Sequence, residues 1–392
     1  MRTKNIFCVT FIFPAIFGVF VNFCDIVFAI SSIDENVITA SIETDKNIDK
    51  KNNSDGNSPN TSPNTSQNTS PNKSQNKSDG NIVSNGGGGK VKTDMKNVWL
   101  FVYFMKKGHD GLFYAWSDDG LLWRQIREGK PFIKPEVGGD VRDRVMRAPS
   151  VCRSVDGVYH IVWAVGRESR SIGYASSSDL AIWSKQKLIP VMEHEKNTRN
   201  TWDPELFYDS TTKRFYIIWA STVKGKFKET DGSSEGDFNH RLYYTTTTDF
   251  KNFTKTELYW NPNHNVMDPL LVEDKDGDPA KRYLLFYKDE TLNPVAKKYL
   301  LLATGSSPTG PFNVQKIVSH TEWVQGPSAL KIGDDWYLYY DCYGKRHFGA
   351  VKSKDLNNWT NITEKLCFPT NARQGTIIEI DKETLTNLQK IK

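Results

Sequence analysis

The sequence predicts an all-β fold, a five-bladed β-propeller, and three observations carry the prediction. One phrase recurs four times, as Ala148-Pro149-Ser150-Val151, Asp203-Pro204-Glu205-Leu206, Asp268-Pro269-Leu270-Leu271 and Gly326-Pro327-Ser328-Ala329, at intervals of 55 to 65 residues. Each copy is followed by an apolar strand with aromatics, such as Tyr159-His160-Ile161-Val162-Trp163 and Trp336-Tyr337-Leu338-Tyr339-Tyr340. A second phrase leads from small or polar residues through a turn to an aromatic, over 117–123, 178–183, 248–253, 307–312 and 354–359, which makes five units. A motif repeated at that spacing is a small antiparallel sheet set around an axis, so its equivalent positions converge on one central channel.

The first 29 residues carry basic Arg2 and Lys4, an apolar run over 6–21 and a small residue at Ala29, the pattern of a secretory signal peptide. Pro14, Asn22 and Asp25 cut the run below the roughly 20 apolar residues of a membrane span, so cleavage, secretion to the extracellular space and no stable membrane insertion are expected. Residues 30–95 are Asn, Ser, Thr, Pro and Gly-rich with few large apolar groups. Such a segment cannot offset its ordering entropy and is expected to be a disordered low-complexity linker. Sequons at Asn52, Asn60, Asn64, Asn68, Asn72 and Asn76, with Asn252, Asn358 and Asn361 further on, suit a secreted chain.

Residues 96–385 remain, enough for one propeller domain. The strand at 98–105 and the segment 376–380 are expected to meet in one sheet and close the ring, and almost no stretch has helical periodicity. The repeating aromatics read as packing between blades. The net charge of +5 lies in scattered lysines rather than in a basic cluster with interleaved aromatics, which argues against nucleic acid as a partner. After loss of Cys8 and Cys24 the chain keeps Cys152, Cys342 and Cys367, an odd number that permits at most one internal disulfide. The seven histidines are dispersed, and Asp274-Lys275-Asp276-Gly277-Asp278 lacks the distal glutamate of a calcium loop, so neither a metal nor a cofactor is expected.

Residues 202–209, Asn265-Val266-Met267-Asp268-Pro269, Val324-Gln325-Gly326-Pro327-Ser328 and Ala372-Arg373-Gln374-Gly375-Thr376 together resemble family 43 glycoside hydrolases and their five-bladed relatives. The resemblance covers nearly all of 98–380. It implies an aspartate base in the first blade, an aspartate in the third that tunes the acid and orients the sugar, and a glutamate acid in the fourth. Carried over residue by residue, the base position holds Ala148 and the acid position holds Gln325, while Asp268 matches. Gln374 stands where the family often has a channel histidine, and Arg373 beside it is kept.

An inverting glycosidase needs two carboxyls on opposite sides of the bond with room for a water. Glutamine cannot release a proton, and losing a general acid or base costs about 10²- to 10⁴-fold each. Asp203 is a carboxylate gained one blade from Ala148, with an Asp-Pro turn residue as its bland reading. Asp143 is expected at the surface, and Glu322 sits at an unfavourable offset from Gln325.

Two classes of function stay open. One is a hydrolase of terminal arabinofuranosyl or xylosyl glycans with a rewired site around Asp203 and Asp268. The other is a lectin-like, non-catalytic binder of an oligo- or polysaccharide using Trp202, Trp323, Asp268, Arg373 and Gln374. A sialidase-like propeller ranks last, because no cluster of three arginines is evident. A monomer is expected, with Asp203, Asp268 and Gln325 facing one another across a sugar-sized hollow at one end of the channel.

Overall fold

The computed structural model describes residues 97–319 and 321–392; the expected signal peptide over 1–29 and linker over 30–95 lie outside the described residues. Twenty strands run in chain order. They are β1 (Asn97–Met105), β2 (Leu112–Ser117) and β3 (Arg124–Gln125), then β4 (Arg147–Arg153), β5 (Tyr159–Ala164), β6 (Ile172–Ser177) and β7 (Lys187–Ile189). Next come β8 (Trp202–Asp209), β9 (Arg214–Thr222), β10 (His240–Thr247) and β11 (Glu257–Trp260), followed by β12 (Val266–Glu273), β13 (Tyr283–Asp289), β14 (Leu300–Gly305) and β15 (Phe312–Ile317). The last are β16 (Gln325–Ile332), β17 (Asp335–Cys342), β18 (His347–Ser353), β19 (Thr360–Asn361) and β20 (Ala372–Asp381).

They form five four-stranded antiparallel sheets. Strands β4–β7, β8–β11, β12–β15 and β16–β19 make the first four blades, and β20-β1-β2-β3 make the fifth. The ring therefore closes by pairing the two ends of the domain, with Val98 opposite Ile380 and Val102 opposite Thr376. This leaves no exposed blade edge at the seam.

Strand residues alternate between two neighbours rather than between core and water. Ile161 and Trp163 of β5 pack with Leu100 and Val102 of the fifth blade, while Val162 between them packs with Ile217 and Trp219 of the second. Both faces of a middle strand are thus buried, which explains why these strands read as near-continuous apolar runs instead of alternating ones. Five such interblade cores encircle the channel.

The turn phrase works as anticipated from its residue types. Ser177 Oγ accepts from the Leu180 backbone amide (2.9 Å), and Asp179 Oδ1 accepts from those of Ala181 and Ile182. The same arrangement recurs at Ser117 and Thr247 with Asp119 and Asp249, and at Ser353 the Oγ accepts from the Asp355 amide while Asp355 Oδ1 accepts from those of Asn357 and Asn358. A tyrosine of the preceding blade then clasps the turn, as Tyr114 Oη donates to the Leu180 carbonyl (3.0 Å) and Tyr339 Oη to that of Gly120 (2.8 Å).

One element departs from the expected near-absence of helix. Helix α1 (Lys382–Gln389) is capped by the Asp381 side chain and buries Leu385 and Leu388 against the seam between the fifth and first blades. Its two apolar contacts at i and i+3 fill barely two turns, too short for a periodic signal. Cys152 and Cys342 are both free thiols. None of the described helices is long and apolar enough to cross a membrane.

Candidate functional site

The four copies of the Pro-containing phrase begin the innermost strands β4, β8, β12 and β16, and each contains the same irregularity. Register slips by one residue between Arg147 and Ser150, Trp202 and Glu205, Met267 and Leu270, and Gln325 and Ser328. The extra residue is the one before proline, and it is left-handed in all four of these blades: Ala148 at φ 44°, Asp203 at 50°, Asp268 at 53° and Gly326 at 56°. A bulge re-aims the side chain at its apex and costs backbone strain in a residue other than glycine. All four apex residues line one cavity on the propeller axis, together with Gln374 and Glu205.

Gln374 ties the carboxylates together. Its Nε2 donates one hydrogen to Asp203 Oδ1 (2.9 Å) and the other to Asp268 Oδ1 (3.2 Å), so the two acid groups lie no farther apart than these bonds laid end to end. Gly326 makes the reach possible. A Cβ built there would stand 2.1 Å from Gln374 Cβ, well inside contact distance.

Burial governs the charge of the pair. Asp203 is pushed well above the ordinary carboxylate range, first by desolvation and then by the charge of Asp268. Asp268, only 2% exposed, is pushed up to about 6 by desolvation, against which the Lys288 ammonium works. The pair therefore gives up its protons at higher pH than ordinary carboxyls do. Deeper in the channel, Glu205 accepts from the Ser150 hydroxyl (2.8 Å), and burial raises it to about 7.

A second layer stands above the pair, on the strands opposite the residues that precede the bulges. Lys288 of β13 is opposite Met267, and Asp341 of β17 is opposite Gln325. Lys288 pairs with Glu290 at 2.6 Å, and Glu290 is also paired with Lys298. Burial opposes the Lys288 charge, but Glu290 and Asp268 outweigh it and hold its pKa above the usual lysine value. Burial likewise opposes the Glu290 charge, and the two lysines keep its carboxyl below the usual range.

Gln325 faces this second layer rather than the aspartate pair. Its Nε2 donates to Asp341 Oδ2 (3.1 Å), which also accepts from Arg373 Nε (2.7 Å). The expected trio is thus two-thirds right. Asp203 and Asp268 meet, whereas Gln325 sits one residue before the bulge and points elsewhere. The sugar-sized hollow is also corrected, because the cavity between the apex residues holds about 30 Å³, enough for a water or two.

The two tryptophans differ. Trp202 is half-buried against Phe238 and His240, with its Nε1 donating to the Arg167 carbonyl (2.9 Å). Trp323 is 38% exposed and left-handed (φ 61°), with Lys298 Nζ 5.8 Å from its ring, and it lines a surface cavity of about 510 Å³. Asp143 and Glu322 are exposed. Ala148 presents only a methyl group to the channel cavity.

Arg147 lies close enough to Arg373, Asp203 and Arg167 for their charges to act on it, a grouping that was not evident in the sequence. Reasoning from the sequence also missed Lys288, Glu290, Lys298, Asp341 and Glu205. The first four come from second strands and the following loop, outside the repeated phrase, and only the apolar setting of Lys288 in Leu284-Leu285-Phe286-Tyr287-Lys288 hinted at a buried charge. Among the described residues no group of three or more His, Cys, Asp or Glu is placed to hold a metal ion.

A family model described as "Probable glycosyl hydrolase domain", of the family 43-related group, matches residues 94–386. Among solved structures, alpha-L-arabinofuranosidase from Lactobacillus brevis is similar at 15% identity, with 55% of this chain and 72% of that one covered and a TM-score of 0.42. An exo-beta-1,3-galactanase from Phanerochaete chrysosporium is similar at 12% identity over 54% of this chain and 48% of that one, with a TM-score of 0.40. The catalytic domain of a Coprinopsis cinerea alpha-L-arabinofuranosidase gives 15% identity over 59% and 71%, with a TM-score of 0.41. No curated protein matches the chain.

Proposed function

The chain belongs to the glycosyl hydrolase family 43-related domain family, and on that premise we propose that it is a secreted protein that holds a terminal arabinofuranosyl- or xylosyl-sized unit of an oligo- or polysaccharide at the channel mouth, with a weakened hydrolytic site. One observation carries the reading. The channel's two apex carboxylates, Asp203 and Asp268, share a single amide donor beside a water-sized cavity instead of flanking a gap that could hold a glycosidic bond. The positions that the family resemblance gives to the base and the acid carry a methyl group at Ala148 and, at Gln325, an amide that donates to Asp341.

What remains suits binding. Asp268 and Asp203 offer buried acceptors at the floor of the mouth, and Arg373 is held in place by Asp341. Trp323 presents an open aromatic face of the kind on which a sugar ring stacks. A second reading, a rewired hydrolase, draws on Asp203, whose carboxyl is pushed well above the ordinary carboxylate range by burial and by the charge of Asp268, the direction a proton donor requires.

Rates on aryl arabinofuranosides and aryl xylosides separate the two. The double variant Ala148→Asp, Gln325→Glu is expected to hydrolyse them at least about 100-fold faster than the natural chain, since each restored group is worth about 10²- to 10⁴-fold. Gln325→Glu sets a carboxyl against Asp341, which would raise its pKa as an acid requires. Ordinary enzyme turnover by the natural chain, abolished by Asp203→Asn, would favour the rewired hydrolase instead.

A further inference from the structure

Three arginines converge on the channel mouth from places far apart in the sequence. Arg147 and Arg373 immediately precede the cavity-lining Ala148 and Gln374, on the innermost strands of the neighbouring first and fifth blades. Arg167 lies in the loop after β5, where its carbonyl receives Trp202 Nε1, beside the tryptophan that precedes Asp203. Its guanidinium lies over the Phe238 ring at 5.6 Å, and that ring is stacked on His240.

Little of this positive charge is answered by the protein. Arg373 commits Nε to Asp341 (2.7 Å), and Arg147 commits Nε to the Lys107 carbonyl (2.8 Å), which orients both planes and leaves their terminal amino groups available. Among the described residues neither Arg147 nor Arg167 has a carboxylate within ion-pair distance. The Arg147 guanidinium is held below the usual arginine value by burial and then by its two arginine neighbours, with Asp203 acting the other way. Like charges crowded in a half-buried place are costly unless an anion joins them.

We propose that the glycan held at this mouth carries an anionic group, a uronic-type carboxylate or a sulfate, which Arg147, Arg167 and Arg373 bind. The proposal rests on the sugar-binding reading and adds the class of sugar. The planar guanidinium fork matches the paired oxygens of a carboxylate or sulfate. Trp323 and the aspartate pair then receive the hydroxyl-bearing part of the same or the adjoining unit.

The test uses the secreted chain and matched ligand pairs: xylo-oligosaccharides with and without a glucuronyl branch, and galacto-oligosaccharides with and without a sulfate, titrated by calorimetry. The acidic member of at least one pair should bind about tenfold tighter or more, as expected for charge-assisted hydrogen bonds. That preference should shrink with added salt and fall to the neutral level in Arg147→Gln and Arg167→Gln. The pair that shows it identifies carboxylate or sulfate as the source. Equal binding of acidic and neutral members, or a preference that survives in arginine variants with unchanged melting temperature, overturns the proposal and leaves the sugar-binding reading standing. Failure of every ligand to bind removes both. Arg167 is in an exposed loop, so its variant keeps the test open should Arg147→Gln misfold.

Discussion

At the scale of single residues, the site is governed by how carboxylates behave when an amide takes the place of water. Asp203 and Asp268 sit where charge is expensive, and Gln374 offers each of them one hydrogen. A histidine could not serve both acids from one nitrogen, because each ring nitrogen has a single hydrogen to give. The raised pKa values have a direct consequence for stability. A carboxyl that titrates near 3.9 when unfolded and at about 6 when folded binds its proton more tightly in the native state. Its contribution is therefore fully present below about pH 4 and lost as pH rises through about 6. Asp268→Asn abolishes that titration. Relative to the natural chain, the variant should gain about 2–3 kcal/mol between pH 4 and pH 7, measured by urea unfolding across that range. A flat difference would show that Asp268 is not desolvated by the fold.

At the scale of elements, the repeated bulge does most to build the site. Four innermost strands insert one residue before proline, and the inserted residue is turned toward the axis in each. Three copies accept the left-handed backbone with a side chain, and the fourth uses Gly326 because Gln374 crosses directly above it. Gly326→Ala should then be more harmful than a surface glycine replacement. It adds strain at φ 56° and places a methyl group where Gln374 Cβ already stands. A loss of about 2–4 kcal/mol is expected by chemical denaturation, from backbone strain together with overpacking. Ligand affinity should fall with it, since Gln374 would be pushed away from both aspartates. The same Ala change at Gly225, whose Cβ would meet nothing within 4 Å, serves as the control for left-handed strain alone.

At the scale of the whole molecule, the propeller is a closed ring of five equivalent interfaces, and its stability depends on closure. Strand β20 supplies one edge of the fifth blade and the channel residues Arg373 and Gln374 as well. A chain ending at residue 371 would lose both, exposing β1 along its length and opening the apolar seam that includes Ile380, Leu385 and Leu388. It should fail to fold cooperatively, seen as loss of a sharp thermal transition and aggregation from the unpaired edge. Adding a peptide of residues 372–392 in trans should restore the transition if closure is what was lost.

Much of this architecture was legible in the chain itself. Blade number, the sealing of the ring by its two ends, the Ser-Asp turns and the meeting of Asp203 with Asp268 all follow from repetition, because rotationally related segments place like positions side by side. That Ala148 lines the same cavity was legible for the same reason. Three features were decided only by tertiary structure. Gln325 turns toward Asp341 because it is still paired opposite that residue, just before the inserted Gly326, and a register slip changes which residue is aimed at the axis without altering the residue pattern. The channel floor is water-sized because Gln374 spans it, a packing outcome with no local signal. Arg147 comes near Arg373 because the ring brings the first and fifth blades together, although the two stand far apart in the sequence. Repetition along a chain determines which residues are equivalent; only the closed ring determines which of them face each other, and how much room lies between.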